Sequence, residues 1–146
     1  MLPPPKKITF EHFKKHNAMP VLNADLQVLH FEHKTWVNEL EFIEGELNFF
    51  ENRLSDLVMR YREVEVLAKL EQFQNQFIRQ KEVLDKLLRD IRVHEQTISS
   101  RLQKELEVPD RFLDEHSELR NRMASYRKIY GEIRTGFFQF LAKWIG

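Results

Sequence analysis

A chain of 146 residues with 42% hydrophobic and 32% charged residues has the make-up of a globular domain and not of a disordered segment. Its 23 Lys and Arg balance 23 Asp and Glu, which excludes bulk attraction to nucleic acid or to an anionic membrane; no nucleic-acid partner is expected. Without cysteine, disulfides, thiolate metal sites, iron–sulfur clusters and cysteine nucleophiles are excluded too, so any metal would rest on His, Asp and Glu.

The N-terminal Met1-Leu2-Pro3-Pro4-Pro5-Lys6-Lys7 is not followed by an apolar run of signal-peptide length, because Glu11, His12, Lys14, Lys15 and His16 interrupt. A cytoplasmic location is therefore expected. Ile8, Phe10 and Phe13 predict a short amphipathic helix ending before Pro20, with residues 1–22 an extension of one domain over 1–146. His12 and His16 would share a face of that helix at a spacing that can chelate Zn or Ni, but Lys14 and Lys15 beside them make an ordinary wet face the simpler reading.

From Leu26 onward apolar residues recur at alternating steps of three and four: Leu29, His33, Trp36, Leu40, Ile43, Leu47, Phe50, Leu54, Leu57, Tyr61, Val64. That is a heptad seam whose one polar member is His33, and Asn23 or Asp25 can cap its start, giving a helix over about 24–60. The next series, Leu70, Phe73, Phe77, Gln80, Leu84, Leu87, Ile91, His94, Ile98, is out of phase with the first by two residues. With Val58, Val64 and Val66 lowering helix propensity, this predicts a tight reversal between about Val58 and Val66. The competing picture is one continuous rod from Asn23 to Glu107, which could bury its seam only by dimerising.

Pro109 pushes Val108 out of helical geometry and Asp110 can cap the next helix, so the second helix covers about 64–107 and a third about 110–145. The third seam reads Phe112, His116, Leu119, Met123, Tyr126, Tyr130, Ile133, Phe137, Phe140, Trp144. The expected fold is all-α: an elongated antiparallel three-helix bundle with a short N-terminal amphipathic helix. Gly136 to Gly146 is the most apolar stretch and is far shorter than the roughly 20 residues a spanning helix needs.

Apolar residues outside the seams mark candidate interfaces. Phe42 and Phe49 form a second stripe on the first helix, to be covered by Ile8 to Phe13 or by another subunit; Phe138 and Ile145 do the same near the C-terminus. Cations flanking that end are sparse, which favours a protein partner or homo-oligomer over membrane-surface binding.

Four seam positions are polar, and three of them are histidines: His33, His94 and His116. Histidine in a bundle core forms a hydrogen-bonded polar layer, ligates a metal as neutral imidazole, or responds to pH. A reversal near residue 62 puts His94 opposite His30 with His33 one turn away, whereas a second reversal near 108 leaves His116 about 10 Å from the level of His94 at about 1.5 Å per residue. The candidate ligands are accordingly His30, His33 and His94, with Glu32 and Glu95 adjacent and Fe, Zn or Mn as the ion. No Glu-x-x-His pair of the di-iron bundle kind occurs, nor a glycine-rich phosphate loop, a Gly-x-Ser-x-Gly elbow or a nucleophile beside a His–carboxylate pair. No catalytic residue and no organic cofactor is expected.

The run Leu29-His30-Phe31-Glu32-His33-Lys34-Thr35-Trp36, with Phe50-Glu51-Asn52-Arg53-Leu54 and Phe73-Gln74-Asn75-Gln76-Phe77-Ile78, is similar to small uncharacterised helical proteins of the Bacteroidota, from Leu29 to about His94. That resemblance implies a bacterial, cytoplasmic setting and supplies no activity. In architecture the bundle, with a seam Trp in its first helix, resembles spectrin-type repeats. The buried histidines resemble those of hemerythrin-type bundles, although the His-x-x-x-His and His-x-x-x-Glu spacings of that family are not reproduced in the three long helices. The first functional reading is a non-catalytic bundle acting through protein–protein interaction or self-association. The alternative is a histidine-lined transition-metal-binding bundle of hemerythrin-like or sensing type.

Overall fold

The computed structural model describes residues 23–145. The short helix expected around Ile8 to Phe13 and the His12/His16 pair lie outside the described residues. The protein is an all-α three-helix bundle: α1 (Asn23–Arg60), α2 (Val64–Lys104) and α3 (Asp110–Phe140), the last running into a π-helical turn at Leu141–Ile145. There is no strand among the described residues, and no helix is long and apolar enough to cross a membrane.

The seams of α1 and α2 are buried almost as their periodicity requires, from Leu26 to Leu57 and from Leu70 to Ile98. The α1 seam stops short of Tyr61 and Val64. Tyr61 still donates its N–H to the Leu57 carbonyl (3.1 Å), but residues 61–63 then turn, and the Glu63 carbonyl accepts the first bond of α2 from Leu67 N–H (3.0 Å). Val64 begins the new helix on its wet face, 81% exposed, and Val66 takes the inward position at 4%. The chain therefore reverses between α1 and α2, and the continuous rod is not formed.

α2 ends at Lys104, three residues before the expected Glu107, because its carbonyls are capped there. Glu105 adopts φ 54°. Its N–H bonds to the Leu102 carbonyl (3.3 Å) and Leu106 N–H bonds to the Arg101 carbonyl (3.0 Å), the paired bonds of a Schellman cap. Arg101 Nη1 then holds the Glu107 carbonyl at 2.6 Å, folding the connection back along the helix end. Val108 drops into a cluster with Leu26, Leu29, Ile98, Phe112 and Leu113.

Packing divides the described chain into two compact units, each built from pieces of all three helices. One joins residues 23–38 to Leu87–Met123; the other joins Glu39–Lys86 to residues 124–145. In the first, Asp90 meets Arg122 (2.9 Å) while His94 stacks on Phe112, so numbers rise on α2 as they fall on α3 and the two run antiparallel. In the second, Glu39 meets Arg127 (2.5 Å) and Glu46 meets Arg134 (2.7 Å), so α1 and α3 run parallel. The second unit closes on an aromatic core of Phe50, Phe73, Phe77, Phe137 and Phe140, with ring centroids 5.1 to 6.2 Å apart. Trp144, expected in the third seam, is 41% exposed, since the π turn rotates the last residues out of phase.

Candidate metal centre

Among the described residues four polar side chains are buried, His33, Gln80, His94 and His116, and they are the polar seam positions. The three histidines come from three different helices of the first unit. Each occupies the place of a core leucine, so each ring points at its neighbours. His33 is 1% exposed, His94 5% and His116 0%. Trp36, one turn after His33, stacks on His116 with centroids 5.1 Å apart, and Phe112 lies flat on His94 at 3.8 Å. Held this way, the three rings bring one nitrogen each to within 4.8 Å of one another.

A carboxylate stands behind every ring. His33 Nδ1–H donates to Glu95 Oε1 (2.9 Å), and His116 Nε2–H donates to Glu32 Oε1 (2.6 Å). His94 Nδ1 faces Glu115 Oε2 at 3.6 Å. Glu32 is fixed by a bidentate Arg120 (2.9 and 2.7 Å), and Glu95 accepts the Ser99 hydroxyl (2.8 Å) and a bond from His30. These partners place the protons. A neutral imidazole carries one N–H, and both His33 and His116 commit theirs outward, toward a carboxylate. Their inner nitrogens, His33 Nε2 and His116 Nδ1, then face each other as bare lone pairs 3.0 Å apart. His94 Nε2 is buried beside them with no hydrogen-bond partner.

Electrostatics keep the rings neutral. Burial pushes His33 down to about 4, against the opposing pull of the Glu95 hydrogen bond, and pushes His94 down to about 3, helped by the neighbouring histidines. Burial lowers His116 as well, although Glu32 pulls it the other way. For Glu32 burial disfavours the carboxylate, but hydrogen bonds from His116 and Arg120 outweigh it and hold the group at about 2. Neutral rings converging inward, two of them held from outside by a carboxylate, resemble the arrangement that metal-binding histidines adopt.

Comparison with protein-family models, with curated proteins and with solved structures gave no match for this chain. The geometry of these side chains therefore carries the functional argument.

The donor set fits a metal ion of the borderline class. Three imidazole nitrogens with no thiolate suit Zn, Co, Ni or Fe, and leave at least one coordination position open. Ligands of a tetrahedral ion with bonds of about 2.1 Å stand about 3.4 Å apart, so a set spanning 4.8 Å must close by about 1.4 Å around it.

Of the residues the sequence singled out, His33 and His94 lie in this cluster. His30 lies outside it, its Nδ1 bonded to Glu95 and its side chain 28% exposed. His116, placed by the level argument a distance away, completes the set, because the folded-back connection after Lys104 brings the start of α3 down beside the last turns of α2. Glu95, named beside the candidate ligands, stands behind His33, and Glu32 stands behind His116; Glu115 and Arg120 were not singled out. The signal for Arg120 was present: Glu32, Glu39 and Glu46 recur every seven residues, as do Arg120, Arg127 and Arg134. Phe42 and Phe49 are 72% and 67% exposed. Phe138 packs edge-on against Phe50 (5.7 Å) beneath Arg134 (4.7 Å), and Ile145 is half-buried.

Proposed function

We propose that this protein is a transition-metal-binding bundle whose ion is held by His33, His94 and His116. The observation that supports it most is the approach of His33 Nε2 to His116 Nδ1 at 3.0 Å, with the outer nitrogens of both rings on the carboxylates of Glu95 and Glu32, so that two neutral rings have no proton to share between them. Two lone pairs at that distance repel. A shared proton would relieve the repulsion only by charging a buried imidazole, whereas a cation also engages the unpartnered His94 Nε2. Three imidazoles favour Zn(II), Co(II) or Fe(II) over Mg(II) and Ca(II), whose preferred donors are oxygens. The role this reading assigns is binding: sensing, storing or delivering the ion. Elemental analysis of protein purified without a polyhistidine tag and dialysed against Zn(II) tests this. One ion per chain, lost in His116→Leu, is expected; a metal-free parent would overturn the reading.

A second reading is supported by Phe42 and Phe49, exposed one heptad apart on α1. In this reading the bundle self-associates through that face, burying two rings that water otherwise solvates. Light scattering of Phe42→Glu/Phe49→Glu should then show a smaller particle than the parent.

A further inference from the structure

We propose that the ion reaches the three histidines through the groove between α2 and α3 beside His94, and that this groove is a port for hydrated divalent cations. The inference rests on the metal-binding reading and specifies its route.

A cavity of about 300 Å³ lies against the first unit, walled by α2 on one side and α3 on the other, with no contribution from α1. His94 is the one member of the cluster in its wall. His33 and His116 are sealed, the former under Glu95 and against Trp36, the latter under Trp36 and the Glu32–Arg120 pair. His94 is covered on one face by Phe112, and the carboxylate that faces it, Glu115, is exposed and itself part of the cavity wall.

The wall has the charge a cation needs. Asp90 holds Arg122 at 2.9 Å and Glu115 lies 3.8 Å from Arg111, which leaves Glu118 as the wall's acid set against Arg89. Glu115 stands between the cavity and the ring that must take the ion up, 3.6 Å from His94 Nδ1 and 3.8 Å from Arg111 Nε. Carboxylates at such a mouth raise the local cation concentration and the rate of capture, an effect that salt screens.

The test uses the full-length chain in a Trp144→Phe background, so that Trp36, stacked on His116, is the fluorescent reporter of Co(II) binding. Val93 and Thr97 are exposed residues in the α2 wall of the cavity. Val93→Phe/Thr97→Phe should fill it without touching the ligands. A route acts on arrival and departure alike, so Co(II) uptake and its removal by a chelator should both slow at least tenfold, with Kd unchanged within a factor of two. Glu118→Gln should slow uptake several-fold at low salt and hardly at all in 0.5 M salt. Unaltered rates in the filled variant would overturn the port while leaving the metal site standing; if the filling shifts Kd, uptake by Glu118→Gln that does not slow at low salt would overturn it. Absence of quenching by Co(II) in the parent would overturn both.

Discussion

His94 distinguishes a metal ligand from a core polar layer, because removing it has opposite consequences in the two cases. In chelator-treated protein its Nε2 is a buried nitrogen without a partner, so His94→Leu should leave stability unchanged or raise it by about 1 kcal/mol. With the ion bound the same substitution removes the ligand and its linkage energy, about 4 kcal/mol at a free ion concentration 1,000 times Kd. Thermal melts of both proteins with and without chelator read the difference. The metal-free parent should also be acid-sensitive. Below about pH 6.5 the unfolded chain protonates histidines that the folded chain keeps neutral down to about 4 at His33 and about 3 at His94, so stability is full above pH 6.5 and falls on acidification through that window. Each such histidine contributes a slope of up to about 1.4 kcal/mol per pH unit, and His94→Leu should remove its share. Glu95 offers a complementary handle. Glu95→Gln weakens the brace that sets the His33 tautomer and should cost roughly 10- to 100-fold in metal affinity while the fold persists, measurable by competition with a chromophoric chelator. That these histidines face inward was legible from their seam positions alone. Their partnership was not, since whether His116 meets His94 depends on where the α2–α3 connection folds back, and no periodicity records that.

At the scale of elements, the boundaries were legible wherever a residue changes what the backbone can do. Pro109 and the two-residue phase slip both announced their breaks. The end of α2 was missed because Glu105 carries a left-handed conformation that glycine usually fills. Glu105→Gly should relieve that strain and raise stability by about 1 kcal/mol, less the entropy glycine returns to the unfolded chain. Gly45 and Gly131 present the converse case. Both lie inside helices with nothing within 4 Å of the place a methyl would occupy. Replacing either with Ala should stabilise by about 0.5–1 kcal/mol, seen as a later midpoint in urea with unchanged slope. The Glu39–Arg127 and Glu46–Arg134 pairs add direction more than energy. They are largely exposed, where such pairs are each worth about 0–1 kcal/mol, yet their seven-residue repeat fixes the parallel register of α1 against α3.

For the whole molecule, the all-α bundle followed from the three seams, because a period of three and four puts each apolar series on one helix face and the phase slip and Pro109 break the chain between them. Function was less legible, since the same pattern describes a structural bundle and a metal-binding one. The difference lies in proton placement on three rings, which requires knowing which carboxylate stands behind each. Co(II) binding tests that placement most directly, because its visible absorption reports both the stoichiometry and the donor set. Titrating Co(II) into untagged protein should give d–d bands that saturate at one ion per chain, and these should vanish in His33→Leu/His94→Leu/His116→Leu. A parent that develops no visible bands, or a triple variant whose spectrum matches that of the parent, would contradict a trihistidine centre.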